Sequence, residues 1–327
     1  MSLSLSLPIV SVSPSMKAAM ASLSEASLSR AGVLFYGEAG SGRQLLAREM
    51  HRLGNPAGPF VVVDCSDGWL DELELALFGN AKGAPSNGRG NGGSHPERVE
   101  ESCGLLTARG GTLFLSHLAD MPQRVQARLA RVLRDGEVLV GDGEVPERLA
   151  VRTTASAGPG WEEAVGEGRI RPDLFKRAAV FRVNVPALRE RREDIPRLAG
   201  GLLAAECRAR ALAPKAFDAA ALTLLAALPW KGNVPELRAL AATLASRAPN
   251  DTVFLEDVLE CVKLDGGAPR VAAGSGTLRE ARHRFEREYV SAVLERHKGR
   301  VAEAARALGI QRTNLYRKLR ELRLTPR

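Results

Sequence analysis

Residues 37–44 read Gly-Glu-Ala-Gly-Ser-Gly-Arg-Gln and sit directly between an apolar run at 32–36 and a helical stretch at 43–52. A strand that breaks into glycines and then opens a helix has few folded solutions. Gly37, Gly40 and Gly42 let backbone N–H groups approach an anion, and the helix start behind them favours negative charge. The spacing predicts a phosphate-cradling loop. Arg43 stands where such a loop carries Lys, and Gln44 where it carries Ser or Thr. Arg keeps the charge but is bulkier and forked, so the exchange is not neutral.

The surrounding pattern agrees with a strand–loop–helix unit. A strand-like start at residue 9 leads into a helix opened by Ser13-Pro14, with proline at the first helical position. Further apolar runs fall at 60–63, 113–115 and 149–154, separated by helical segments such as 121–134. Strands alternating with helices predict an α/β fold: a parallel sheet with helices on both faces. Residues 83–93 hold Pro85, Asn87, Gly88, Gly90, Asn91, Gly92 and Gly93 and read as a long surface loop. Beyond Pro196 the strand signals stop, and 196–263 read as all-helical with a break at 229–233. A Gly/Ala/Ser linker follows at 265–276, and Thr277-Leu278-Arg279-Glu280 fits a capping box that opens a last helical domain. The expected organisation is an α/β subdomain at 9–195, a helical lid at 196–264, a linker at 265–276 and an all-α domain at 277–327.

Charge separates that last domain from the rest. Residues 277–327 carry 14 Lys/Arg against 6 Asp/Glu, while the other 276 residues carry 32 of each sign, so the tail holds the whole net charge of +8. Within it, 300–308 forms a short helix with Ala304, Ala305 and Leu308 inward, closed by Gly309. A second helix at 312–322 places Leu315, Leu319 and Leu322 on one stripe. Its other face presents Arg312, Thr313, Tyr316, Arg317 and Arg320, with Asn314 and Lys318 at the edges. Two short helices about a glycine also occur as plain core packing. The basic outer face and the segregated charge favour a recognition helix for double-stranded DNA. The preceding helix, 278–297, carries Leu278, Ala281, Phe285, Val293 and Leu294, more apolar surface than a lone helix should expose, which predicts a homodimer through 278–297.

Several classes are excluded. No apolar run approaches a membrane span, and residues 1–8 have neither a basic start nor a continuous apolar core, so neither a membrane partner nor a signal peptide is expected. Cys65, Cys103, Cys207 and Cys261 lack metal-type spacing and read as reduced thiols. The reading is a cytoplasmic protein with no metal site.

The tail, through Ala304-Ala305-Arg306-Ala307-Leu308-Gly309-Ile310 and Asn314-Leu315-Tyr316-Arg317-Lys318-Leu319, resembles the Fis-type helix-turn-helix that ends many bacterial regulators. Residues 9–264 resemble the AAA+ domain of sigma-54-dependent enhancer-binding activators, the nitrogen-regulator family. The motifs are Leu77-Phe78-Gly79 with Lys82-Gly83-Ala84, Gly110-Gly111-Thr112-Leu113-Phe114-Leu115, Asp173-Leu174-Phe175, the block from Val185 through Arg189 and Asp194 to Pro196, and Trp230-Lys231-Gly232-Asn233-Val234. The pattern starts almost at residue 9, so no receiver domain is expected before it.

The resemblance implies an ATPase that remodels sigma-54 polymerase, but this sequence departs from it at the functional positions. The family's Walker B strand ends in Asp-Glu, whereas here the pair is Ser116-His117. A hydroxyl and an imidazole do not replace two carboxylates around Mg²⁺, a hard cation, and His117 as a substitute base has no metal ligand beside it. The sigma-binding loop, Gly-Ala-Phe-Thr-Gly-Ala in the family, is Gly83-Ala84-Pro85-Ser86-Asn87-Gly88, and the sensor II Arg is Pro235. Arg171 and Arg177 remain in the arginine-finger region and could serve salt bridges between subunits. The expectation is a pseudo-ATPase with no catalytic residue: a DNA-binding transcription regulator, not a conventional sigma-54 activator. No cofactor is certain. ATP or ADP in the Arg43 loop stays open, as does a nucleotide-sensing regulator or an active ATP-hydrolysing activator. So do a higher oligomer through the AAA+ body and partnership with RNA polymerase or an intact related activator.

Overall fold

The computed structural model describes residues 9–54, 57–66, 70–79 and 96–262, together with Val301, Glu303, Leu315 and Leu319. The chain divides into two compact units, Met1–Val258 and Leu259–Arg327.

In the first unit, α1 (Pro14–Ser27) leads to β1 (Val33–Tyr36), α2 (Arg43–Gly54), β2 (Phe60–Asp64) and α3 (Leu70–Phe78). Then come β3 (Glu97–Val99), α4 (Gly104–Thr107), β4 (Thr112–Ser116), α5 (Gln123–Asp135), β5 (Glu137–Val140) and β6 (Glu147–Arg148). The α/β part ends with β7 (Arg152–Ala157), α6 (Trp161–Gly166), α7 (Pro172–Ala178) and β8 (Phe181–Asn184). Five strands form a parallel sheet in the order β2-β4-β7-β1-β8. Side chains alternate across it. Leu34 of β1 and Leu113 and Leu115 of β4 enter one core with Leu77, Phe78, Val125 and Leu129. Val33, Phe35 and Phe114 enter the other, with Met16, Leu23, Leu46 and Met50. Helices thus cover both faces, as expected.

The helix start at Ser13-Pro14 holds: the Ser13 hydroxyl accepts from Met16 N at 3.2 Å, and Pro14 occupies the first turn. Residues 9–12, expected as strand, are not one. Their terminus is held by Asp194, whose Oδ1 accepts from Val12 N at 2.6 Å and Ser13 N at 2.9 Å. The strand expected at 149–154 lies at Arg152–Ala157 instead. It is buried yet built of Thr153, Thr154, Ala155, Ser156 and Ala157, so no apolar run marks it. Thr154 satisfies its hydroxyl on Leu113 O at 3.2 Å. Edge strand β8 carries no clear signal, since Arg182 and Asn184 are exposed and only Val183 is buried. A second sheet, β3-β5-β6, was likewise not anticipated.

Beyond β8, α8 (Ile195–Ala209), β9 (Ala216–Phe217), α9 (Ala219–Ala227), α10 (Asn233–Arg247) and β10 (Thr252–Val253) follow. Helix α8 packs on α9 and α10. The region is not entirely helical, because β9 and β10 pair in parallel. Two-residue strands are too short for periodicity to reveal.

In the second unit, Val301, Glu303, Leu315 and Leu319 are helical, and Val301, Leu315 and Leu319 are buried. The last two are spaced as the predicted stripe requires. The linker at 265–276 and the helix at 278–297 lie outside the described residues, as does the loop at 83–93. Among the described residues, no helix is long and apolar enough to cross a membrane.

Candidate functional site

All five strands of the main sheet run the same way, so β1, β2 and β4 end on one edge, the usual place for a ligand in an open α/β sheet. Gly37, Gly40, Gly42, Arg43 and Gln44 come together there, in the turn between β1 and α2. Backbone geometry explains two of the glycines. A Cβ on Gly37 would stand 2.3 Å from Val185 O. Gly40 has φ +74°, and a Cβ there would meet Pro235 Cδ at 2.8 Å and Gly232 O at 2.9 Å. Only glycine fits such positions without strain.

A polar latch holds the loop. Glu38 receives both Nη1 and Nη2 of Arg189, the first at 2.7 Å, and Asn233 Nδ2 at 3.2 Å. Asn233, fully buried with φ +55°, also donates to Ala39 O at 2.8 Å and accepts Leu188 N at 2.8 Å on its Oδ1. Val234 N donates to Gly40 O at 3.2 Å. Arg191, itself buried, donates from Nη2 to Ser41 O at 2.6 Å. Arg189 first, then Asn233, hold the Glu38 carboxyl at about 2 against an ordinary 4.5. Glu38 is therefore ionised, and residues 38–41 are tied to two distant segments, near 189–191 and 233–234.

Arg43 differs from its neighbours. It is only 8% exposed, its Nη1 has no hydrogen-bond partner, and burial alone lowers its pKa. The Ser41 hydroxyl is likewise buried and unpartnered. Gln44 is exposed. Among the described residues no acid answers this buried cation, which sits with an unsatisfied hydroxyl at a helix start, chemistry suited to an anion.

At the ends of β2 and β4, Asp64 and Ser116 lie in register. His117 follows with φ +54°, unusual for a residue other than glycine. Its Nδ1 lies 3.0 Å from Asp64 Oδ1 and 3.0 Å from Ser116 Oγ, and its backbone N donates to Ser156 Oγ at 3.2 Å. The same Asp64 oxygen accepts Ser66 N at 3.0 Å and Ser66 Oγ at 2.8 Å. Desolvation opposes ionisation of Asp64, but the bonds from Ser66 and His117 outweigh it and its pKa is lowered. Both partners use the same nitrogen, so this is no relay of nucleophile, base and orienting acid, which needs both ring nitrogens. Among the described residues, no group of three His, Cys, Asp or Glu side chains could hold a metal.

The other predicted positions are dispersed. Arg171 pairs with Asp173 at 3.0 and 2.8 Å, and Arg177 donates to Leu133 O at 3.2 Å. Arg312, Thr313, Asn314, Tyr316, Arg317, Lys318 and Arg320 lie outside the described residues. Sequence reasoning assigned no role to Glu38, Asp64, Arg189 or Asn233. Glu38 and Asn233 stand 195 positions apart, and no local pattern joins them.

A family model for the sigma-54 interaction domain matches residues 9–184, which covers the glycine loop, the ends of β2 and β4 and all five strands of the main sheet. The chain belongs to the sigma-54 interaction domain family. Models for the AAA+ ATPase lid domain and for the Fis family of bacterial regulatory proteins match residues 189–267 and 281–322. The DNA-binding transcriptional regulator NtrC of Escherichia coli K12 is 34% identical over 336 residues, covering 96% of this chain and 70% of the relative. The nitrogen assimilation regulatory protein NtrX of Azorhizobium caulinodans is 36% identical over 301 residues, covering 89% of this chain and 63% of the relative. Crystal structures of NtrX from Brucella abortus superpose at 29% identity. The complex with ATP has a TM-score of 0.65 and covers 97% of this chain and 69% of that one. The complex with ADP has a TM-score of 0.67 and covers 97% and 70%.

Proposed function

We propose that this chain is a cytoplasmic, DNA-binding transcription regulator whose AAA+ body does not hydrolyse ATP, so that it does not act as a conventional sigma-54 activator. The observation that carries the reading is the end of β4. Metal-assisted hydrolysis asks for oxygen anions that hold Mg²⁺ and orient water. Ser116 and His117 offer a hydroxyl and an imidazole, and His117 Nδ1 is engaged by Asp64 and Ser116. The neighbouring carboxylate, Asp64, already answers His117 and Ser66. The magnesium of an ATPase does not fit these residues.

A nucleotide fits the loop better than its metal fits the strand. The unpartnered Nη1 of Arg43 and hydroxyl of Ser41 are buried donors suited to phosphate oxygens. That NtrX from Brucella abortus, similar over 97% of this chain, is crystallised with ATP and with ADP supports nucleotide binding. A nucleotide-sensing role, in which ATP or ADP is bound but not turned over, is therefore favoured over an empty scaffold.

DNA contact is assigned to the Fis-family segment. The burial of Leu315 and Leu319 supports the apolar stripe of a recognition helix, and the reading assigns DNA contact to Arg312, Asn314 and Lys318 and dimerisation to 278–297. Regulation would then run through binding-site occupancy, or through mixed complexes with an intact relative or with RNA polymerase. The test is ATP-dependent open-complex formation by sigma-54 polymerase at a promoter carrying the chain's own site. The reading expects occupancy of the site without open complexes. Open complexes that depend on ATP hydrolysis by this chain overturn it.

A further inference from the structure

We infer that the Arg43 loop takes its polyphosphate as the free anion rather than as a magnesium complex. The inference rests on the nucleotide-binding reading above and narrows the ligand's chemical form. Burial of the Arg43 guanidinium costs free energy that no acidic side chain among the described residues offsets, because desolvation is the sole influence on its pKa. Glu38, the nearest acid in the loop sequence, is committed to Arg189 and Asn233. The cation at the loop is therefore left for the ligand to neutralise.

A phosphate chain brings more negative charge when no metal is bound to it. Arg43 presents a fixed fork of donors, which suits two phosphate oxygens at once. Ser41 adds a hydroxyl, and the start of α2 adds backbone N–H groups. At the ends of β2 and β4, Ser116 and His117 offer a hydroxyl and an imidazole where magnesium asks for oxygen anions, and Asp64 Oδ1 is already engaged by Ser66 and His117. Magnesium bound to the ligand would cancel charge that Arg43 answers and would gain few protein ligands in return.

The experiment is calorimetric titration of the full chain with ADP, once in excess EDTA and once in excess magnesium chloride. Equal or tighter binding in EDTA is expected. Arg43→Ala should weaken binding by about ten- to a hundredfold, the usual worth of a hydrogen bond to a charged group. Circular dichroism checks that this variant is folded, and Arg43→Lys, which retains the charge, should keep part of the affinity. The double variant Ser116→Asp, His117→Glu restores two carboxylates and should make ADP affinity rise with magnesium. Binding by the unaltered chain only when magnesium is present overturns the inference while leaving nucleotide binding intact. Absence of ADP binding in both buffers overturns both.

Discussion

At the glycine loop, Glu38 and Asn233 each serve two or more partners and, with Arg189, tie residues 38–40 to segments near 188 and 233. At the end of β4, Ser116, His117 and Asp64 bond mainly to one another and to neighbouring serines. The first group lies at the junction of the sheet with α10, and Asn233 is fully buried. His117 and Asp64 are 35% and 40% exposed. A residue that joins distant segments from a buried position is expensive to lose whatever the chemistry of the site. A residue that only aims a metal or a water from the surface can change with little effect on folding. On the proposed reading, binding and hydrolysis can therefore part in this fold.

That contrast can be broken most severely at Asn233. Replacing it with Ala leaves Leu188 N and Ala39 O without their partner and places Ala at φ +55°. The expected loss is about 3 kcal/mol, from unsatisfied buried groups and left-handed backbone. Thermal denaturation should show Tm lowered by roughly 6–12 °C for a domain of this size. A change within measurement error would mean that the latch does not hold the loop to the helical region.

Glu38 should give a smaller, pH-dependent effect. Its carboxyl is held at about 2 against an ordinary 4.5, so its contribution is complete above 4.5 and is lost as pH falls from 4.5 through about 2. Stability of the unaltered chain should drop more steeply over that interval than that of Glu38→Gln. Denaturant midpoints at several pH values provide the comparison, and parallel curves would contradict the ionised latch.

The smallest effect is expected at His117. Glycine there relieves the strain of φ +54° and removes a partly exposed side-chain hydrogen bond to Asp64, two effects of about 1 kcal/mol or less that oppose each other. The His117→Gly variant should unfold within about 1 kcal/mol of the unaltered chain. A large loss would show that the strand end is as structural as the loop.

Legibility in the sequence followed the same division. The glycine loop was readable because its spacing is local, and the alternation of apolar runs with helices was enough for a parallel sheet. Strand β7 was misplaced, since a buried run of Thr, Ala and Ser carries no apolar signature. Edge strand β8 was missed because one buried side chain is no pattern. Arg43 and Ser116-His117 stood out as departures from a motif. Their partners did not, because the contact of Asp64 with His117 spans 53 positions and that of Glu38 with Arg189 spans 151. The isolation of the Arg43 guanidinium emerges only once burial and hydrogen bonds are known.

The central claim is that binding is retained and hydrolysis is not. It is tested most directly by incubating the full chain with ATP and magnesium, with and without its DNA site, and measuring bound nucleotide and released phosphate in the same sample. The account predicts that ATP is recovered intact from the protein and that phosphate stays at the level of a protein-free control at every protein concentration. Phosphate release approaching ~1 s⁻¹ per chain, the low end of ordinary enzyme turnover, would contradict it.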